Sequence, residues 1–231
     1  MGANQKLQQS EAHHQAVMRP VCRQDGTREG VFGDLRFRAL LPETDWQKLP
    51  AAIQQRFTKR LAEGETVLYR GRVTKTRLTR MGWVVAQLCR LIGAPLPYTK
   101  NTKGTAVVAV TEDRRAGGQL WTRLYTRDGK FPHVVHSAKR FCGPTGLEEY
   151  VGHGVGMALT IHVIRQALVF RSVHYFVELF GGRFRLPRLL SPGRMEIVHA
   201  EAEGGKFSFT LSLTHPWLGP LVHQVAYFEE V

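Results

Sequence analysis

The chain has 231 residues, 43% of them hydrophobic and 10% aromatic, which is enough apolar surface for one buried core and too much for a chain disordered throughout. A formal charge of +13 points to an anionic partner, whether nucleic acid, a lipid surface or an acidic ligand. Three well-separated cysteines, Cys22, Cys89 and Cys142, form no C-x-x-C pair, which argues against a structural zinc site or dithiol motif and fits a reducing, cytoplasmic compartment.

Residues 1–30 are polar and aperiodic, so the expectation is a leader that can be deleted without harm. His13 and His14 have no third ligand beside them, the segment lacks the apolar core of a signal peptide, and Lys6 stands where a myristoylation site requires Ser or Thr. The chain turns apolar from Phe32 to Leu41. Leu49-Pro50 then opens a helix with Ile53, Phe57 and Leu61 at helical spacing, ending near Gly64. Val67 to Thr76 reads as a strand, with Val67, Tyr69, Gly71 and Val73 on one side and Arg70 and Arg72 on the other.

Met81, Val84, Val85, Leu88, Leu91 and Ile92 form the stripe of an amphipathic helix that Gly93 and Pro95 end, and this stripe is expected to pack on a sheet. The apolar run from Met81 to Pro97 is too short and too interrupted to span a bilayer of ~30 Å. A meander follows: Thr105 to Thr111, Leu120 to Thr126 and His133 to Phe141, turning at Gly117-Gly118 and Asp128-Gly129. Thr145 and Glu148 have the spacing of a capping box for a short helix.

Two hairpins come next, Met157 to Ile164 with Leu168 to Val177, and Met195 to Ala202 with Lys206 to Thr214 around Gly204-Gly205. Strict alternation from Phe207 to Thr214 buries Phe209 and Leu211 on one face. Leu221 to Phe228 is the last strand. About nine strands with two principal helices exclude a doubly wound parallel sheet and predict an α+β fold, mainly antiparallel β, as a strongly curved sheet or barrel in a single domain over 31–231.

The order of motifs carries a resemblance. Leu49-Pro50, the run Leu91-Ile92-Gly93-Ala94-Pro95-Leu96-Pro97, Trp121-x-Arg123-x-Tyr125, Leu186-Pro187-x-x-Leu190-x-Pro192-Gly193 and His215-Pro216-x-x-Gly219 together resemble the family catalogued as domain of unknown function 4166. The likeness spans roughly residues 32 to 229. It implies an architecture and, because some relatives are joined to an NAD(P)-binding domain resembling saccharopine dehydrogenase, a separate oxidoreductase as a partner. It supplies no catalytic residues. This chain lacks a dinucleotide fingerprint of its own, since Gly152-x-Gly154-x-Gly156 has the wrong spacing, so no cofactor is expected.

Trp121, Arg123 and Tyr125 share one face of a strand whose other face, Leu120, Thr122 and Leu124, is also largely apolar, so both faces are expected to be covered. An arginine between two aromatics suits either a cavity wall that meets an anionic group or a structural arginine stacked and paired with a glutamate. Glu148 and Glu149, near His153, suit acid/base chemistry or, more simply, helix capping. His133 and His136 point to opposite sides of a strand, which argues against a metal pair, and neither a nucleophile elbow nor a P-loop is present.

No acidic residue occurs between Glu65 and Glu112, while Arg70, Arg72, Lys75, Arg77, Arg80, Arg90, Lys100 and Lys103 accumulate around Trp83. The leading reading is a non-catalytic or accessory module binding a hydrophobic or amphipathic, lipid-like molecule through Trp121, Arg123, Tyr125, His136 and Glu149. Arg72, Arg77, Arg80, Arg90 and Trp83 would then face an anionic membrane surface. The alternatives are an enzyme using Arg123, His136 and Glu149, a nucleic-acid binder through 70–103, and a basic surface kept for solubility.

Overall fold

The computed structural model describes residues 36–59, 61, 65–98, 103–113 and 116–231; the leader, residues 32–35, Gly64 and Lys100 lie outside them. Eleven antiparallel strands dominate: β1 (Thr66–Leu78), β2 (Gly104–Asp113), β3 (Gly118–Arg127), β4 (Lys130–Arg140), β5 (Glu148–Gly152), β6 (Val155–Ile164), β7 (Ala167–Leu179), β8 (Gly182–Arg185), β9 (Arg194–Glu201), β10 (Phe207–His215) and β11 (Gly219–Glu230). Their order is β6-β5-β4-β3-β2-β1-β11-β10-β9-β7-β8, and β6 pairs with β7 along its whole length. Ten strands therefore close into a barrel. The eleventh, β8, pairs with Phe176–Leu179 of β7, while β9 pairs with Leu168–Arg171 of the same strand.

The nine strands read from the sequence are all present, and β5 and β8 are additional. Closure requires the strands to bend. Register shifts leave Thr74, Leu221 and Val173 as extra residues, and these are the bulges at which β1, β11 and β7 do so.

The two ends of the barrel are built differently. At one end lie α1 (Glu43–Trp46) and α2 (Ala51–Thr58), the latter ending before Leu61, which the sequence period had included. They bury Trp46, Ile53 and Phe57 with Phe37 against Leu168 and Phe170. Phe37 stands edge-on to Phe57 and Phe141, with ring centroids 5.2 and 4.8 Å away.

At the other end α3 (Arg80–Leu88) lies on β11 and continues as a 3-10 turn over Cys89–Ile92. Thr79 caps α3 by accepting from Gly82 N, and its own N–H donates to Leu221 O. Most of the expected packing face of this helix is turned outward. Gly82 and Ala86 are its buried residues and Val85 packs half-buried beside them, whereas Met81, Trp83, Val84, Leu88 and Leu91 are exposed. The cause is contact at Gly82, where an added Cβ would stand 1.9 Å from Leu221 O. Only a side without bulk can approach the strand so closely, so the large apolar side turns outward.

The expected helix at Thr145 is absent. Gly143 and Gly146 have φ of 76° and 77°, a left-handed backbone that breaks a helix, and the Thr145 hydroxyl donates to Leu147 O instead of capping. Glu148 and Glu149 consequently begin β5 and point to opposite sides of the barrel wall. The outer face of β3 is not covered either, since Leu120 is exposed.

Candidate functional site

A cavity of about 100 Å³ occupies the barrel lumen, lined chiefly by apolar groups that include Trp121, Tyr125, Phe170, Phe209 and Phe228, with Pro95 and Pro97 toward the α3 end. Neighbouring strands place their inward positions in one layer. Arg123 of β3 is opposite Val135 of β4, and Lys139 is opposite Glu149 of β5. In this wall stands a compact polar cluster.

Glu149 is its centre. One carboxylate oxygen accepts from the Ser137 hydroxyl at 2.7 Å and from Arg123 Nη2 at 3.2 Å; the other lies 3.0 Å from Lys139 Nζ. Arg123 also donates to Ser137 Oγ at 3.1 Å. The second carboxylate oxygen is buried in ion-pair contact with Lys139, without the alignment of a hydrogen bond. Lys139 Nζ lies 4.6 Å from the centre of the Trp121 ring.

Burial by itself would raise the Glu149 carboxyl, but Lys139, Arg123 and the Ser137 hydroxyl together outweigh it and hold the pKa at about 2. Burial lowers the Lys139 ammonium, and Glu149 opposes that change. A carboxylate held this firmly in its charged form is a weak base and carries no proton to give at neutral pH. The cluster suits the placement of charge better than proton transfer.

The structure thus brings Trp121, Arg123, Tyr125 and Glu149 together around the lumen and leaves His136 out. His136 is exposed on the outer wall, where its Nδ1 lies 3.1 Å from Thr122 Oγ1. Arg123 is both stacked and paired, as the structural account of it required, and it also lines a cavity. Lys139 and Ser137 were missed. Their signal was phase: Val135, Ser137 and Lys139 alternate with exposed or half-buried residues along β4.

Glu148 belongs to a different assembly on the outer wall. It is fully buried beneath Arg183 of β8, whose two terminal nitrogens donate to its two oxygens at 2.7 and 2.9 Å, and the Tyr150 hydroxyl donates to it at 3.0 Å. Arg183 also reaches Glu178 at 2.8 Å, so the cluster fastens β8 across β5 and β7. His153 is exposed in the β5–β6 turn and does not join either carboxylate.

A second buried group near the α2 end also went unread. His199 Nε2 is 2.7 Å from Arg56 Nη1, a contact that makes Nε2 the acceptor and places the ring proton on Nδ1. Burial, and then Arg56, depress the imidazole well below its usual range. Arg56 is in turn paired with Glu201 at 2.9 Å.

Of the residues expected at an anionic surface, Trp83, Arg80 and Arg90 belong to α3 and its extension, and Arg77 lies near the end of β1 beside them. Arg72 does not. It is on the outer wall opposite Tyr227, about 20 Å along β1 from Leu78 at ~3.3 Å per residue.

Residues 49–228 match the family described as a domain of unknown function 4166. The chain belongs to that family. The matched region takes in α2, α3, β1 to β10 and β11 as far as Phe228, so the domain of unknown function 4166 is here a closed antiparallel barrel. No curated protein and no solved structure matches the chain. Among the described residues, no helix is long and apolar enough to cross a membrane, and no group of His, Cys, Asp and Glu is arranged to hold a metal ion.

Proposed function

We propose that the barrel is a non-catalytic binding module for a small amphipathic acid, its apolar body among the lumen aromatics and its anionic group at Arg123 and Lys139. One observation carries this reading: in the cavity wall the buried Lys139 and the half-buried Arg123 share a single carboxylate, Glu149, which leaves one positive charge unmatched. Lys139 has three N–H donors and one anionic neighbour, so an incoming carboxylate completes its set. The size of the cavity limits the ligand. At about 100 Å³ it is smaller than the ~150 Å³ engineered cavity that takes up benzene, which favours a short-chain acid over a ring-bearing acid or a two-chain lipid.

Titration calorimetry with hexanoate and with hexanol tests the assignment. Hexanoate binds, and Lys139→Met weakens it by at least about tenfold, the effect of losing one charge-assisted hydrogen bond. The variant leaves hexanol unchanged. Equal binding of acid and alcohol, or no heat from either, contradicts the reading. The enzyme alternative loses support because His136 lies outside the lumen and Glu149 is held ionised.

A further inference from the structure

The end of the barrel that carries α3 gathers large exposed apolar side chains from separate segments. On α3 and its extension Trp83 is 43% exposed, Leu88 63% and Leu91 78%. Phe131 follows the β3–β4 turn, Phe180 the end of β7, Leu189 and Leu190 occupy the 3-10 turn before β9, and Trp217 the β10–β11 turn. Strand direction places them together. β1, β3, β5, β7 and β10 all finish at the end where β2, β4, β6, β9 and β11 begin.

The charge at this end is one-sided. Arg77, Arg80, Arg90, Arg185, Arg188 and Arg194 stand among the apolar groups. Among the described residues, acidic groups on these strand ends and turns are few: Asp128, Glu178, which is bound by Arg183, and Glu196, which is bound by Arg171 at 2.6 Å. The opposite end differs, because its aromatics point into the core.

We propose that this end is a docking face for an anionic lipid bilayer, with α3 lying in the interface and the turn residues inserted beside it. Three features select a bilayer over a folded partner. The apolar groups are spread over five segments as separate projections, which a deformable surface accepts without a matching shape. They are tryptophan, phenylalanine and leucine interleaved with arginine, the mixture that enters the headgroup boundary. The Gly82 contact holds α3 so that its bulky side cannot turn inward, which makes the exposure a fixed property of the fold. The lumen runs from Phe57 of α2 to Pro95 and Pro97 at this end, although docking does not require a lumen ligand.

The test uses the whole chain and vesicles of phosphatidylcholine with or without phosphatidylserine, in co-sedimentation and tryptophan fluorescence at low salt. Binding needs phosphatidylserine, shifts emission to shorter wavelength and weakens as salt rises. The double variant Leu88→Ser/Leu91→Ser weakens partitioning by roughly a hundredfold, and Arg80→Gln or Arg90→Gln by about fivefold each. Arg72→Gln and Leu120→Ser, both on the outer wall, leave it unchanged, and near-ultraviolet circular dichroism shows that every variant is folded.

Several results overturn the proposal: no vesicle binding at low salt, equal binding by the α3 variants, or equal loss with Arg72→Gln. Sedimentation of the wild type as a dimer that Leu88→Ser/Leu91→Ser dissociates, without vesicle binding, assigns the face to a second copy instead. Salt-sensitive retention of RNA in place of vesicles overturns it as well.

Discussion

The helices α2 and α3 have nearly the same length and are both amphipathic, yet they sit on the barrel in opposite senses. In α2 the large residues Ile53 and Phe57 face the core; in α3 the buried positions are Gly82 and Ala86, and the bulky stripe apart from Val85 faces largely outward. Periodicity shows that a helix has two faces, but local geometry decides which of them is packed. For α2 the space at the barrel end is deep and takes Phe57 among Phe37, Phe170 and His199. For α3 the strand lies so near that the contact is backbone to backbone.

The contrast fixes an order of effects. Phe57→Ala removes a buried ring from the closed end and should cost about 3 to 5 kcal/mol in urea unfolding. A cost below ~1 kcal/mol would mean that α2 does not close the barrel.

Between the two ends lies the lumen cluster, and its contribution is read through acid. The Glu149 pKa of about 2 in the folded chain lies below its ordinary 4.5. The carboxylate therefore stabilises the fold in full above about pH 4.5 and loses that contribution as pH falls toward about 2, a difference of roughly 3 kcal/mol. Glu149→Gln should remove this part of the acid dependence and should destabilise the protein at neutral pH, because the buried Lys139 and the half-buried Arg123 lose their counter-charge. An unaltered acid profile would show that Glu149 is not the paired group.

The effect of Gly82→Ala should be smaller, about 1 to 3 kcal/mol, because α3 can lift from β11 to relieve the clash at some loss of contact. Smallest of all is Leu88→Ser, expected within about 0.5 kcal/mol, since this leucine is already in solvent. A cost for Leu88→Ser close to that of Phe57→Ala would erase the difference between the two helices.

Much of this architecture is legible in the sequence. The alternation from Phe207 to Thr214 and the phase of Trp121, Arg123 and Tyr125 identify inward faces, because a strand gives only two choices and polarity selects between them. The lost elements are instructive. β5 is short and begins with two glutamates, so it has no apolar face to announce it, and its partners are supplied by Lys139 on one side and Arg183 on the other. Thr145 and Glu148 satisfied the spacing of a cap while Gly143 and Gly146 prevented the helix.

His136 was grouped with Arg123 and Glu149 because pairing partners are not visible in a single strand. Register places Val135, not His136, opposite Arg123. The reversal of α3 depended on the distance to Leu221, 139 positions from Gly82, which no local pattern contains.

The central claim, that α3 packs through its small residues and presents its large ones, is tested most directly by thiol labelling. Leu88→Cys and Ala86→Cys are each introduced, exposed briefly to a maleimide under native conditions, and read by peptide mass mapping so that Cys22, Cys89 and Cys142 are counted separately. Leu88→Cys should react at the rate of a free thiol, and Ala86→Cys should stay protected until denaturant opens the fold. Rapid labelling at position 86 with protection at position 88 would mean that the apolar stripe is the packed face, and the docking surface built on α3 would fall with it.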